Sequence, residues 1–169
     1  MGTVQALSTY LSQHSVNVCW QLSSDLPEIE ADRARLGQVV RNIVMNAAQS
    51  MPEGGDLTIG AEWDAVQSRL SLHFQDTGVG IVAHEAERIF RPFFTTKVKG
   101  TGLGLPIVRK IVRLHGGSVD VVSEPGRGAR FIVTLPLRPA RHEPEITIEP
   151  PVVSPWPTTE RFPDPFSER

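Results

Sequence analysis

The 169-residue chain has one cysteine, Cys19, and one tyrosine, Tyr10. A lone cysteine excludes an intramolecular disulfide and a Cys-rich metal site. Its expected role is that of a small buried hydrophobe. No apolar run approaches 18 residues, so no membrane span is expected. The N-terminus shows no basic stretch followed by an apolar one, so no signal peptide is expected. A reducing, cytoplasmic compartment is the resulting expectation, with no membrane contact in this segment. Basic excess is also lacking: the formal charge is −2. A nucleic-acid partner, which would ask for a basic face, is therefore not expected.

The hydrophobic content is 40%, enough for one packed core. Residues 4–13 suit a short helix. Val16, Val18, Trp20 and Leu22 alternate with Asn17, Cys19 and Gln21, the pattern of a half-buried strand. Asp32 is a good N-cap for a helix from Arg33 to Met51, whose Leu36, Val39, Val40, Ile43, Ala47 and Met51 share one face. Pro52-Glu53-Gly54-Gly55 stops it. Leu57, Ile59, Ala61 and Trp63, then Leu70, Leu72 and Phe74, predict a hairpin that ends at Asp76. Leu103 to His115 is helical again and apolar over much of its circumference. Two alternating strands close the core, 119–123 and 131–135, joined by a turn at Pro125-Gly126-Arg127-Gly128.

Nine of the 14 prolines lie from Pro136 onward. We therefore divide the chain into a domain over 1–137 and a Pro-rich tail over 138–169. The tail is expected to lack order past about residue 140. Trp156, Phe162 and Phe166 would be its anchors if it docks. Five strands and three helices predict an α+β fold, a two-layer sandwich with a mostly antiparallel sheet and helices on one face.

Two glycine loops frame an aromatic segment. The first is Asp76-Thr77-Gly78-Val79-Gly80, the second Gly100-Thr101-Gly102-Leu103-Gly104-Leu105, and between them runs Phe90-Arg91-Pro92-Phe93-Phe94-Thr95-Thr96-Lys97. Glycine lets backbone N–H groups converge on an anion. The second loop opens a helix, whose N-terminus suits a phosphate chain. Asp76 could accept from an exocyclic amine, as adenine would offer, or could simply cap a turn. On the preceding helix, Gln38, Asn42, Asn46 and Gln49 form a stripe beside the apolar face. Asparagine is a mediocre helix former, so two at i, i+4 suggest amides with work to do, such as completing a Mg²⁺ shell. The aromatic segment suits a lid, with Lys97 or Lys99 reaching a phosphate.

These stretches resemble the boxes of bacterial sensor histidine kinases. Asn42-Ile43-Val44-Met45-Asn46-Ala47 is similar to their N box, and Asp76 to Gly80 to their G1 box. Phe90 to Phe94 is similar to the F box, and Gly100 to Leu105 to the G2 box. Met45 to Gly55 and Phe93-Phe94-Thr95-Thr96-Lys97 most resemble the nitrogen-regulation and oxygen-sensing subgroup. The resemblance implies the Bergerat ATP-binding fold, with ATP and Mg²⁺ as cofactors. It implies Asn46 as the Mg²⁺ ligand, and Asn42 and Lys97 as catalytic groups. It implies a nucleotide site built from Asn42, Asn46, Asp76, Gly78, Gly80, Phe93, Thr96, Lys97, Gly100, Thr101, Gly102, Leu103, Gly104 and Leu105.

The chain departs from the pattern at Arg91, where an acidic residue is usual. It departs again at Gln49, where many such kinases have lysine, and at Ala129, where threonine is frequent. No His-Glu-x-x-x-Pro box is present. The implied activity is transfer of the γ-phosphate to a histidine on a separate dimerisation and phosphoacceptor domain, with a response regulator downstream. Without that domain the segment is expected to be monomeric. The alternatives are an autonomous ATPase of the same fold, a serine kinase of the anti-sigma-factor type, and a nucleotide-binding module without catalysis.

Overall fold

The computed structural model describes residues 2–97 and 100–138. The tail from residue 139, with Trp156, Phe162 and Phe166, and Lys99 in the lid region lie outside the described residues. The elements, in order, are α1 (Gly2–Gln5), α2 (Ser8–Gln13), β1 (Val16–Leu22), α3 (Arg33–Ser50), β2 (Gly55–Asp64), β3 (Arg69–Asp76), α4 (Gly104–Leu114), β4 (Ser118–Ser123) and β5 (Ala129–Pro136). Two single 3₁₀ turns, Ala83–Glu85 and Arg88–Phe90, lie between β3 and α4.

The five strands form one sheet in the order β1-β2-β3-β5-β4. β1 runs parallel to β2, and the other three pairings are antiparallel. Period-2 alternation sends Leu57, Ile59 and Ala61 of β2, and Leu70 and Phe74 of β3, into the core. Phe131, Val133 and Leu135 do the same from β5. α3 answers with Val39, Ile43, Val44, Ala47 and Ala48, and α4 with Val108, Ile111 and Val112. Each large side chain among these contributes roughly 1.5–3 kcal/mol by leaving water. α3 buries a stripe wider than its sheet-facing side because α4 packs alongside it.

Local chemistry sets the ends of α3 and α4. The Asp32 carboxylate accepts from Arg35 N at 3.0 Å, a side-chain N-cap, and this N–H bond holds its carboxyl below the usual carboxylate range. His115 caps the C-terminus of α4 and also ties it to α3. The Asp32 N–H donates to His115 Nε2 at 3.1 Å, so Nε2 has no proton. Nδ1 therefore carries the proton and donates to the Ile111 carbonyl at 2.8 Å.

Three expectations need correction. Cys19 is exposed rather than core-filling, because β1 directs Asn17, Cys19 and Gln21 to the sheet face without helices. Trp20 and Leu22 are each 41% exposed, so β1 buries apolar surface only toward its start. The first helix is two pieces, meeting at Ala6-Leu7. No helix among the described residues is long and apolar enough to cross a membrane.

Candidate functional site

A cleft of about 590 Å³ opens between α3, the loop after β3, the stretches 94–97 and 100–102 and the first turn of α4. Asn42, Asn46, Gly80, Thr96, Lys97, Gly100, Thr101, Gly102, Gly104 and Leu105 all line it. Residues more than 50 positions apart in the chain are thus brought to one cavity.

The first loop is a packed scaffold. Asp76 ends β3 on the core face and is 2% exposed. Its Oδ1 accepts from Gly78 N at 2.9 Å, Ser50 Oγ at 3.2 Å and Ala129 N at 3.3 Å. Among the described residues no donor reaches Oδ2, which leaves that oxygen able to accept from a ligand. Burial pushes the Asp76 carboxyl above the usual carboxylate range; the three donors and the Lys97 charge pull the other way. Gly78 lies against α3: a Cβ there would stand 2.4 Å from the Ser50 carbonyl. That close approach lets Val79 N donate to Ser50 O at 3.0 Å. Gly80, at φ +72°, packs on the turn after β4, where a Cβ would stand 2.2 Å from Glu124 O.

The second loop is held more loosely. Gly104, the first residue of α4, would place a Cβ in open space. Its carbonyl accepts from Asn42 Nδ2 at 3.2 Å, which joins α3 to the start of α4. Lys97 reaches back across the cleft. Its ammonium donates to Asn46 Oδ1 at 2.8 Å, Gln49 Oε1 at 3.1 Å and Asn46 O at 3.4 Å. Burial lowers the Lys97 pKa and the Asp76 charge raises it. Asn46 Oδ1 is therefore an oxygen that already attracts a cation.

Four predicted residues are not among those lining the cleft, and Asp76 is one: it meets the cleft through Ser50, a lining residue whose hydroxyl donates to it. Gly78 supports its floor from behind. Leu103 is the residue before α4. Phe93 is 77% exposed at φ +65°, unusual for a bulky residue, and its N–H donates to Gly102 O at 3.0 Å. Gly102 permits this crossing, since a Cβ there would stand 2.5 Å from the Phe93 carbonyl carbon.

Sequence reasoning did not single out Ser50 or Arg109. Ser50 was findable, since it continues the i, i+4 series of Asn42 and Asn46. Arg109 donates to the Phe90 carbonyl at 3.0 Å, and its guanidinium lies 5.5 Å from the Phe90 ring centre. It anchors the start of the lid segment to α4, and no local pattern marks it. Met45, Ile81, Ile89 and Phe94 supply apolar walls. A cleft with apolar walls, a buried acceptor bonded to its lining Ser50 and a cation between amides suits an amine-bearing base linked to an anionic chain.

Residues 31–139 match the family described as histidine kinase-, DNA gyrase B-, and HSP90-like ATPase. Sensor histidine kinase ZraS of Escherichia coli O157:H7 is 38% identical over 143 residues, which cover 85% of this chain and 31% of that protein. Signal transduction histidine-protein kinase AtoS of Escherichia coli K12 is 39% identical, over 81% of this chain and 22% of that protein. The chain thus spans about a third or less of these relatives. The nucleotide-free catalytic domain of histidine kinase ThkA superposes with a TM-score of 0.73 at 32% identity, covering 82% of this chain and 90% of that one. Full-length ShkA in complex with AMPPNP gives the same score and identity, covering 82% of this chain and 29% of that one. ThkA in complex with response regulator protein TrrA superposes at 0.70 and 29% identity, covering 82% and 39%. The chain belongs to the histidine kinase-, DNA gyrase B-, and HSP90-like ATPase family, in the form that serves as the catalytic, ATP-binding domain of sensor histidine kinases.

Proposed function

We propose that this domain binds Mg²⁺·ATP and presents its γ-phosphate to a histidine on a separate phosphoacceptor domain, with a response regulator as the downstream partner. The carrying observation is one cleft lined by the Lys97–Asn46 pair and by Ser50, behind which the buried Asp76 keeps Oδ2 unbonded. Asp76 Oδ2 accepts from the adenine amine, while Ser50, Gly78 and Ala129 hold the carboxylate still through Oδ1. Asn46 Oδ1 fits the divalent cation, since an amide oxygen is a suitable hard ligand and here already holds an ammonium. Lys97 and the backbone N–H groups from Gly100 to Gly104 face the phosphates. When bound, Mg²⁺·ATP supplies the phosphoryl group that a histidine ring nitrogen takes, with release of ADP. The chain's own contribution is orientation and charge neutralisation.

The superposition on ShkA with AMPPNP supports the nucleotide, and the ThkA–TrrA complex supports the downstream partner. The run at Met45 to Gly55 supports the nitrogen-regulation and oxygen-sensing subgroup. Autonomous hydrolysis is disfavoured by α3, which carries no Asp or Glu from Arg33 to Ser50 to activate water. Asn42, whose amide donates to Gly104 O, cannot take a proton.

The test is incubation of the chain with γ-labelled ATP and the phosphoacceptor hairpin of a ZraS-type kinase. Acid-labile, alkali-stable label on the hairpin is expected. Bound ATP without label on any hairpin tried would point to a non-catalytic module. Steady phosphate release without a hairpin would point to an autonomous ATPase.

A further inference from the structure

The Lys97 ammonium has three N–H donors and meets three oxygens, all from α3. Two belong to Asn46. The third is Gln49 Oε1, one helical turn on and facing the same side. An ammonium cannot accept, so the Gln49 amide must turn its oxygen to Lys97 and its nitrogen away. That nitrogen donates to Tyr10 Oη at 3.4 Å. Tyr10 sits on α2, and its ring lies 4.2 Å from that of His14. A polar chain thus runs from α2 through Gln49 to the one lysine that reaches into the cleft among the described residues. Lys97 makes no ion pair among those residues, so neutral oxygens alone fix its position.

We infer that Gln49 is a positioning residue for the phosphate end of the site. Backed by Tyr10, it holds the Lys97 ammonium over the cleft. The assignment rests on the ATP-binding reading given above. A cation on Asn46 Oδ1 would repel the ammonium that now shares this oxygen. Gln49 Oε1 is then the acceptor that keeps Lys97 within reach of the phosphates instead of releasing it to solvent. Gln49 is exposed and absent from the buried core, so its loss should leave the fold intact.

Two measurements on the intact chain test this. Trypsin must take the lysine side chain into its own pocket, so a held Lys97 is cut slowly. In nucleotide-free protein, Gln49→Leu is expected to speed cleavage after Lys97 about 5-fold relative to cleavage after the exposed turn residue Arg127, and Gln49→Glu is expected not to. In calorimetry, Gln49→Leu should weaken ATP about 5-fold and leave adenosine unchanged, and should add nothing in a Lys97→Met background. Unchanged cleavage at Lys97 would overturn the assignment. So would an equal loss of ATP and adenosine, which a merely structural role would give, or additive effects of the two substitutions. If the unsubstituted chain binds no ATP, the nucleotide reading fails, and the cleavage ratio alone decides whether Gln49 holds Lys97.

Discussion

The two glycine loops share a composition but not a construction. In the first, glycine is required by neighbours: a Cβ at Gly78 or Gly80 would strike the carbonyl of Ser50 or Glu124. In the second, Gly104 has open space around its Cα, and Gly100 would meet first the Thr95 hydroxyl, part of a side chain that can turn away. One loop is a wall of the core that carries a carboxylate. The other is a rim that a ligand can approach. Glycine therefore serves packing in the first loop, whereas the second needs it for packing at Gly102, against the Phe93 backbone, and leaves it for access at Gly104. Substitutions at Gly128 and Gly104 should separate the two roles.

The largest effect is expected where the first loop meets the turn before β5. Gly128 has φ +85°, and a Cβ there would lie 2.0 Å from the Asp76 carbonyl. Left-handed strain and overpacking together predict that Gly128→Ala costs roughly 2–5 kcal/mol, read as a fall in the thermal midpoint. Nucleotide affinity falls with it, since Ala129 N holds Asp76 Oδ1. Gly104→Ala should invert the pattern. It gains about 0.5–1 kcal/mol of helix stability while its methyl obstructs the phosphate rim, so ATP weakens and the midpoint does not fall. If Gly104→Ala unfolds the chain or leaves ATP affinity intact, the contrast between loops is wrong.

A smaller effect follows from pH. The Asp76 carboxyl is raised by burial, so it protonates above the ordinary carboxylate range as pH falls. ATP affinity should drop in that window, because a protonated Oδ2 no longer accepts from the adenine amine. Stability responds with the opposite sign. A raised folded-state pKa means that this group's contribution is present in full below its unfolded value and is lost as pH rises through the folded value. Titrations of midpoint and affinity across weakly acid pH should diverge, and a parallel change would show that Asp76 is not the adenine acceptor.

Much of this was legible in the chain. Alternation located the sheet, and the Asp32 cap and the 3.6-residue period located α3. The four boxes located the cleft. What escaped was set by contacts between distant segments: Ala129 and Gly128 against Asp76, and Arg109 on Phe90. Lys97 illustrates the boundary. Its reach toward a phosphate was expected, but its seat on Asn46 and Gln49 depends on how the lid segment folds back over α3. Cys19 is a different kind of miss. Its place between Asn17 and Gln21 already assigned it to the polar face, and the period should have outweighed the usual burial of cysteine.

The most direct test of ATP recognition is calorimetric titration of the chain and of Asp76→Asn with ATP, with and without Mg²⁺, alongside their thermal midpoints. The account predicts Mg²⁺-sensitive binding by the intact chain. It predicts a roughly 10- to 100-fold loss in the variant, the worth of one hydrogen bond to a charged group, with a midpoint that does not fall. Equal affinity in the two proteins would contradict it.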